Sequence, residues 1–200
     1  MIVRLAGDND AARLAELHAT RITDGFLPSL GPAFLTRLYR RIVRSPGSFA
    51  YVATDADAPS GARVLGFAAA TDDVGRLYRS FALHDGVMAG IAAAPRLLRS
   101  WRRVLETVRY PGAEGDLPTA EILAVAVDET AAKQGIGRAV VDAATSRLAE
   151  RGIGAVKVVA GADNTAALRL YAGCGFAVRA RIEVHEGAPS EVLVWNSSSH

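Results

Sequence analysis

The sequence holds one cysteine, Cys174, in 200 residues. A lone thiol forms no intrachain disulfide and no thiolate cluster for zinc or iron–sulfur. The four histidines, His18, His84, His185 and His200, are scattered without metal-ligand spacing, so no metal is expected. Long apolar runs are also lacking. The longest small-apolar stretch, Gly86 to Pro95, is about half of the roughly 18 residues that a membrane span needs. The opening Met1-Ile2-Val3-Arg4-Leu5 does not have the basic-then-apolar layout of a signal peptide. Lysine is scarce: Lys133 and Lys157 are the only two among 23 basic residues, which face 21 acidic ones for a net charge of +2. That near balance is far from a polycationic nucleic-acid binder. Arginine in place of lysine, with many alanines, reads as GC-rich genome composition rather than as a ligand's footprint. Disorder, collagen, a secreted mini-protein and a membrane protein are excluded, and a reducing cytoplasm is the expected compartment.

What is present is ordinary globular material: 50% apolar and 22% charged residues. A chain of this length buries roughly 70% of its unfolded surface and needs no staples. Residues 1–196 read as one domain, with a four-residue tail at 197–200 that carries Ser197-Ser198-Ser199.

Ile2 to Ala6 alternates weakly as a short strand. Asp8 or Asp10 can cap a helix with Leu14, Leu17 and His18 on one face. Gly25-Phe26-Leu27-Pro28 breaks the chain, and Gly31-Pro32 opens a second helix with Phe34, Leu35, Leu38, Ile42 and Val43 at helical spacing. Pro46-Gly47 stops it. Phe49 to Thr54 and Val64 to Thr71 predict a β-hairpin. Residues 72–118 fit no strand pattern. Pro95 there starts an amphipathic helix, with Leu97, Leu98, Trp101, Val104, Leu105 and Val108 inside and an arginine-rich outer face. That face is solvated, packs across a homodimer, or meets an acidic acceptor or nucleic acid.

From residue 120 the rhythm changes. Glu121 to Val127 is a strand, Ile136 to Arg151 a helix, Val156 to Ala160 a strand and Asn164 to about Cys174 a short helix. Strands at Phe176 to His185 and Glu191 to Trp195 come next, separated by Gly187-Ala188-Pro189. This order predicts an α/β sheet with a central parallel pair and a closing antiparallel hairpin.

The most informative segment is Leu123-Ala124-Val125-Ala126-Val127-Asp128, followed by Gln134-Gly135-Ile136-Gly137-Arg138-Ala139. A strand runs into a loop whose glycines stand at the mouth of a helix. Such glycines serve tight packing, or they let an anion reach backbone amides that the helix dipole favours; diphosphate is the natural guest. The dinucleotide fingerprint fails, since Val140 fills its third glycine slot and Lys157 stands where an acid belongs. No Gly-Lys-Ser/Thr comes after it, so a Walker A loop fails too.

The segment resembles the acetyl-CoA signature of the GCN5-related N-acetyltransferase (GNAT) superfamily, a strand followed by Arg/Gln-x-x-Gly-x-Gly/Ala and a helix. Gly135 and Gly137 match, while Ala132 replaces the usual Arg or Gln. A second element, Asn164-Thr165-Ala166-Ala167-Leu168-Arg169-Leu170-Tyr171-Ala172-Gly173-Cys174-Gly175-Phe176, looks like the superfamily's N-x-x-A-x-x-L-Y-x-x-x-G-F throughout. Two motifs in the right order are far more specific than one. The resemblance implies a mixed α/β GNAT fold: a central six- to seven-stranded sheet flanked by helices, with residues 72–118 inserted between the third and fourth strands.

It also implies an N-acetyltransferase that passes an acetyl group from acetyl-CoA directly to a primary amine on a small molecule or peptide. By resemblance, Val125, Ala126 and Val127 offer backbone to the pantetheine arm. Lys133, Gln134, Gly135, Ile136, Gly137 and Arg138 surround the diphosphate, and Asn164, Ala167 and Tyr171 complete the coenzyme site. Asn164 also suits a helix N-cap. Tyr171 is the candidate general acid for the leaving thiolate. Glu121, 14 residues before Gly135, stands where histone-acetylating members carry a catalytic glutamate. It is a general base, or a solvated glutamate in an enzyme that uses water. Cys174 reads as a small buried residue, and His185 as surface or acceptor side. The acceptor is expected near Thr23 to Phe34, the insertion and Ile182 to Ser190. Phe26, Leu27, Tyr78 and Phe81 are apolar candidates there, and Arg79 a charged one. The other readings are a non-catalytic acyl-CoA sensor and a nicotinamide-dependent oxidoreductase.

Overall fold

Every strand that the sequence pattern predicts enters one sheet of the computed structural model, which describes residues 1–22, 27–55, 63–84, 117–185 and 188–197. In chain order the elements are β1 (Ile2–Leu5), α1 (Ala11–Arg21), α2 (Pro32–Arg44), β2 (Ser48–Thr54), β3 (Val64–Thr71) and α3 (74–84). After these come β4 (Glu121–Val127), α4 (Ile136–Glu150), β5 (Ala155–Gly161), α5 (Thr165–Gly173), β6 (Ala177–His185) and β7 (Ala188–Asn196). The seven strands lie in the order β1-β2-β3-β4-β5-β7-β6, antiparallel except for β4 beside β5.

Three local expectations change. Asp10 does not cap α1; its carboxylate accepts from the Gly7 N–H at 2.8 Å and pairs with Arg4, closing a short 3-10 turn ahead of the helix. β7 begins at Ala188 rather than Glu191, because His185 pairs with Ala188 and Glu183 with Pro189. The ladder with β5 ends at Gly161 and Ser190, and the β6 register shifts between Glu183 and His185, so proline falls where pairing is already irregular. Residues 74–84, to which the sequence pattern assigns no element, form α3, with the Asp73 carboxylate accepting from the Arg76 N–H at 2.8 Å in its first turn. The expected helix from Pro95, its arginine-rich face and most of the 72–118 insertion lie outside the described residues.

Helices cover both faces, which is why β2 and β3 are buried almost continuously rather than alternately. One core lies under α4 and α5, around Ile122, Ile136, Val141, Leu148, Val158 and Phe176. The other lies under α1, α2 and α3, around Leu14, Leu35, Tyr39, Val52, Phe67 and Leu77. Burying each such side chain contributes about 1.5–3 kcal/mol. Among the described residues, no helix is long and apolar enough to cross a membrane.

The site depends on an irregularity in β4. Ala69 pairs with Ala124 and Ala70 with Ile122, so Leu123 is an extra residue, a β-bulge. Side chains alternate faces along a strand, and one inserted residue exchanges them. Ile122 therefore joins the α4–α5 core together with Val125 and Val127, while Ala124 and Ala126 join the α1–α2 core. On its other edge β4 meets β5 at one register pair, Glu121 with Lys157, and by the Lys157 N–H donating to Ala120 O at 3.0 Å. From Ile122 to Val127, no register with β5 continues, and the two parallel strands splay.

Candidate active site

β4 delivers the chain to the glycine turn. The Asp128 carboxylate accepts from the Thr130 N–H at 3.0 Å and fixes the 3-10 turn Glu129–Ala131. Two left-handed residues come next, Lys133 at φ 62° and Gly135 at φ 77°. Such alternation gathers successive N–H groups into an anion-binding concavity. In α4, Ala139 is the first residue whose N–H bonds back, to Gly135 O at 3.0 Å. The amides of Ile136, Gly137 and Arg138 are the helix's open donors, with the dipole behind them.

The two glycines have different work. A Cβ on Gly135 would meet nothing within 4 Å, so it is the left-handed backbone that requires glycine there, and the turn faces open space. A Cβ on Gly137 would stand 3.3 Å from Leu170 Cδ2, so glycine there lets α4 approach α5. Close packing therefore accounts for the glycine at Gly137 but not for the one at Gly135. Lys133, Gln134 and Arg138 are exposed around the turn. The Arg138 guanidinium pairs with Asp142 one helical turn on at 3.4 Å. Ile136 is a core side chain and offers only its N–H. In the splay, Ala126 is buried, and Val125 and Val127 half-buried, so these residues present main chain along the edge that leaves β5.

Asn164 caps α5, its Oδ1 accepting from the Ala167 N–H at 3.0 Å. The cap uses the carbonyl and leaves the side-chain NH2 donors for another partner. Ala167 is half-buried against the α4–α5 core. Tyr171 is buried in that core, 5.6 Å from the Phe176 ring between centroids. Burial, then neighbouring Cys174, pushes its hydroxyl above its ordinary value of 10. Cys174 is buried, and burial followed by Asp142 pushes its thiol up to about 12, too high for a nucleophile.

Glu121 lies on the opposite face, toward α1, α2 and α3. It is not a solvated strand-start residue: its side chain is 19% exposed, and Lys157, 12% exposed, places Nζ 3.5 Å from Glu121 Oε2. Lys157 also donates to Pro118 O at 2.5 Å. Burial raises the Glu121 carboxyl above its ordinary 4.5 while Lys157 opposes the rise. Tyr78 of α3 is raised by burial and then by the Glu121 charge, and Tyr39 of α2 by burial and then by Tyr78. The Tyr39 hydroxyl lies 2.7 Å from His18 Nδ1. Acidic, phenolic and imidazole groups therefore line one side of the sheet at the start of β4.

Tyr78 is among the acceptor-side candidates of the sequence; Lys157, Tyr39 and His18 are not. Lys157 is legible as a charged residue inside an apolar strand run, whereas nothing local joins Tyr39 to His18. Phe81 and Leu27 belong to the core beneath α1–α3, with the Phe81 and Phe34 rings 5.3 Å apart, and Arg79 is exposed. Phe26 and the side chain of His185 lie outside the described residues. Among the described residues, no group of three or more His, Cys, Asp or Glu side chains could hold a metal ion.

Comparison with known proteins agrees with this fold. The chain matches the model of the acetyltransferase (GNAT) family over residues 19–176. A mycothiol acetyltransferase of Nocardia farcinica is 42% identical over 60 residues, 30% of this chain and 20% of that protein. One from Kocuria rhizophila is 41% identical over 68 residues, 34% of this chain and 22% of that protein. The chain thus spans about a fifth of these relatives. In fold it resembles Arabidopsis thaliana NAA60 in complex with acetyl-CoA, with TM-score 0.64, 18% identity and 99% of each chain covered. A GCN5-related N-acetyltransferase from Kribbella flavida superposes with TM-score 0.63 at 19% identity, covering 98% of this chain and 96% of that one. A spermidine N-acetyltransferase of Vibrio cholerae gives TM-score 0.60 at 12% identity, covering 99% and 96%. With its splayed strands, its open turn of amides and a family match over most of its length, this chain belongs to the GNAT acetyltransferase family.

Proposed function

We propose that the protein is an N-acetyltransferase that moves an acetyl group from acetyl-CoA to a primary amine of a small molecule or peptide, by direct attack. One observation carries this: the open amides of the 133–138 turn lie at the end of the same strand whose edge leaves β5. A diphosphate held at the first places the pantetheine arm along the second. The Asn164 side-chain NH2 donates to that arm.

Glu121 takes a proton from the acceptor's ammonium. The freed amine forms a C–N bond to the thioester carbonyl, whose developing oxyanion is held by main-chain N–H groups of β4. Collapse breaks the C–S bond as Tyr171 gives its proton to the thiolate; the nitrogen sheds its second proton to water, and solvent returns one to Tyr171. A phenol raised by burial is a weaker acid, but the same burial raises the basicity of a thiolate in the cleft, so the two stay matched. Peptide, spermidine and mycothiol chemistries occur among the names of similar proteins, and amines of these kinds form the acceptor panel.

Acetyl-CoA at 100 times its dissociation constant should stabilise the fold by roughly 2.7 kcal/mol in a melting curve. A shift with NAD(P) and none with acetyl-CoA would refute the reading. CoA release with the amine panel then tests catalysis. Glu121→Gln and Tyr171→Phe should each slow turnover, and Glu121→Gln should remove the rise in rate as the carboxyl loses its proton above pH 4.5. Tight CoA binding with both variants silent would make the protein an acyl-CoA sensor instead.

A further inference from the structure

The Asp128 carboxylate gathers more partners than the reaction calls for. It stands where β4 ends and the turn of amides begins. Its Oδ2 accepts from Arg13 of α1 and, at 2.7 Å, from Arg63 just ahead of β3. Its Oδ1 accepts from the Thr130 N–H at 3.0 Å and the Thr130 hydroxyl at 2.7 Å. Its own N–H donates to Leu65 O at 2.7 Å. Three separate parts of the chain are thereby pinned to one residue.

A negative charge this close to the open amides would by itself repel an anion. Two guanidiniums answer it, and the bonds from Thr130, then those from Arg63 and Arg13, hold the carboxyl well below the usual carboxylate range. Asp128 stays ionised and neutralised, unsuited to touch a phosphate but suited to fix the turn beyond it. That turn includes Lys133 at φ 62°, a strained conformation that persists only where its surroundings over-determine it. α4 anchors the turn at one end, and Asp128 anchors it at the other.

We propose that Asp128, gripped by Arg13, Arg63 and Thr130, is a positioning residue that holds the 129–135 turn in its anion-binding shape. It thereby sets affinity for the diphosphate of CoA without contacting it. This rests on the coenzyme reading of the turn given above. Arg63 is the second handle: its side chain is 57% exposed, so its replacement tests the grip without endangering the core.

The experiment is calorimetric titration of wild type, Asp128→Asn and Arg63→Gln with CoA and with 3′-dephospho-CoA, which keeps the diphosphate and lacks the third phosphate. Asp128→Asn should weaken binding on the order of tenfold, Arg63→Gln less, and each by the same factor for both ligands. Melting curves read any purely structural role separately. A lower melting temperature with unchanged dissociation constants overturns the proposal. A loss confined to CoA also overturns it, because the cluster would then serve the 3′-phosphate. If Asp128→Asn does not fold, Arg63→Gln decides. Wild type that binds neither ligand refutes the coenzyme reading itself; wild type that binds while both variants equal it refutes the Asp128 role alone.

Discussion

Acid should weaken this protein through His18 before any of its clamped carboxylates is reached. The imidazole is 5% exposed, with Nδ1 2.7 Å from the Tyr39 hydroxyl, and burial lowers its pKa from 6.5 to about 4. Between those values the unfolded chain binds a proton that the folded one refuses, so stability falls as pH falls. Over the 6.5 − 4 = 2.5 pH units, at 1.36 kcal/mol per unit, the loss is about 3 kcal/mol. A typical domain has only about 5–15 kcal/mol in total. Asp8, Asp10 and Asp128, all lowered by their arginine or threonine partners, act only at still lower pH. Glu121 works in the opposite sense: its folded carboxyl takes a proton first, so acid favours the fold there. The difference between two proteins isolates His18. Urea unfolding at steps from pH 7 to 4.5 should show wild type losing stability more steeply than His18→Gln, by up to about 1.4 kcal/mol per pH unit. Gln retains a polar group for Tyr39. Parallel stability curves for the two proteins would refute a buried neutral imidazole.

Two substitutions probe the scaffolding of the proposed coenzyme site. Gly135→Ala should cost about 1–2 kcal/mol from left-handed strain alone, since the new Cβ meets nothing, and it should weaken CoA binding by intruding on the open side of the turn; urea melts and calorimetry read the two effects. Asn164→Ala should destabilise by about 1 kcal/mol through loss of the cap, whereas Asn164→Ser, which restores a cap without the amide, should keep that stability and still lose CoA binding as far as Asn164→Ala does, which separates the two uses of this side chain.

Much of the fold is legible in the sequence because its signals are local. The glycine turn and the Asn164 to Phe176 element carry their geometry in adjacent residues, and helix spacing marks α1, α2 and α4. The bulge is not legible. Ile122-Leu123-Ala124-Val125-Ala126-Val127 is apolar throughout, so an exchange of faces leaves no trace in hydrophobic alternation. α3 is readable in part: Asp73 starts it and Leu77 and Phe81 lie four apart, but Gly75 and the lack of a strand pattern obscure it. The surroundings of Glu121 are beyond reach, since Lys157 comes from β5, Tyr78 from α3, and Tyr39 and His18 lie 21 residues apart. Such meetings are decided by sheet order, not by neighbours in sequence.

The extra residue at Leu123 has a consequence for traffic. Because it turns Glu121 toward one layer of helices and Val125 toward the other, the proposed reaction has its amine and its thioester arriving through different doors and meeting in the gap between strands. Neither needs to leave before the other enters. A protein arranged this way has no need to store the acyl group on a side chain of its own between two visits.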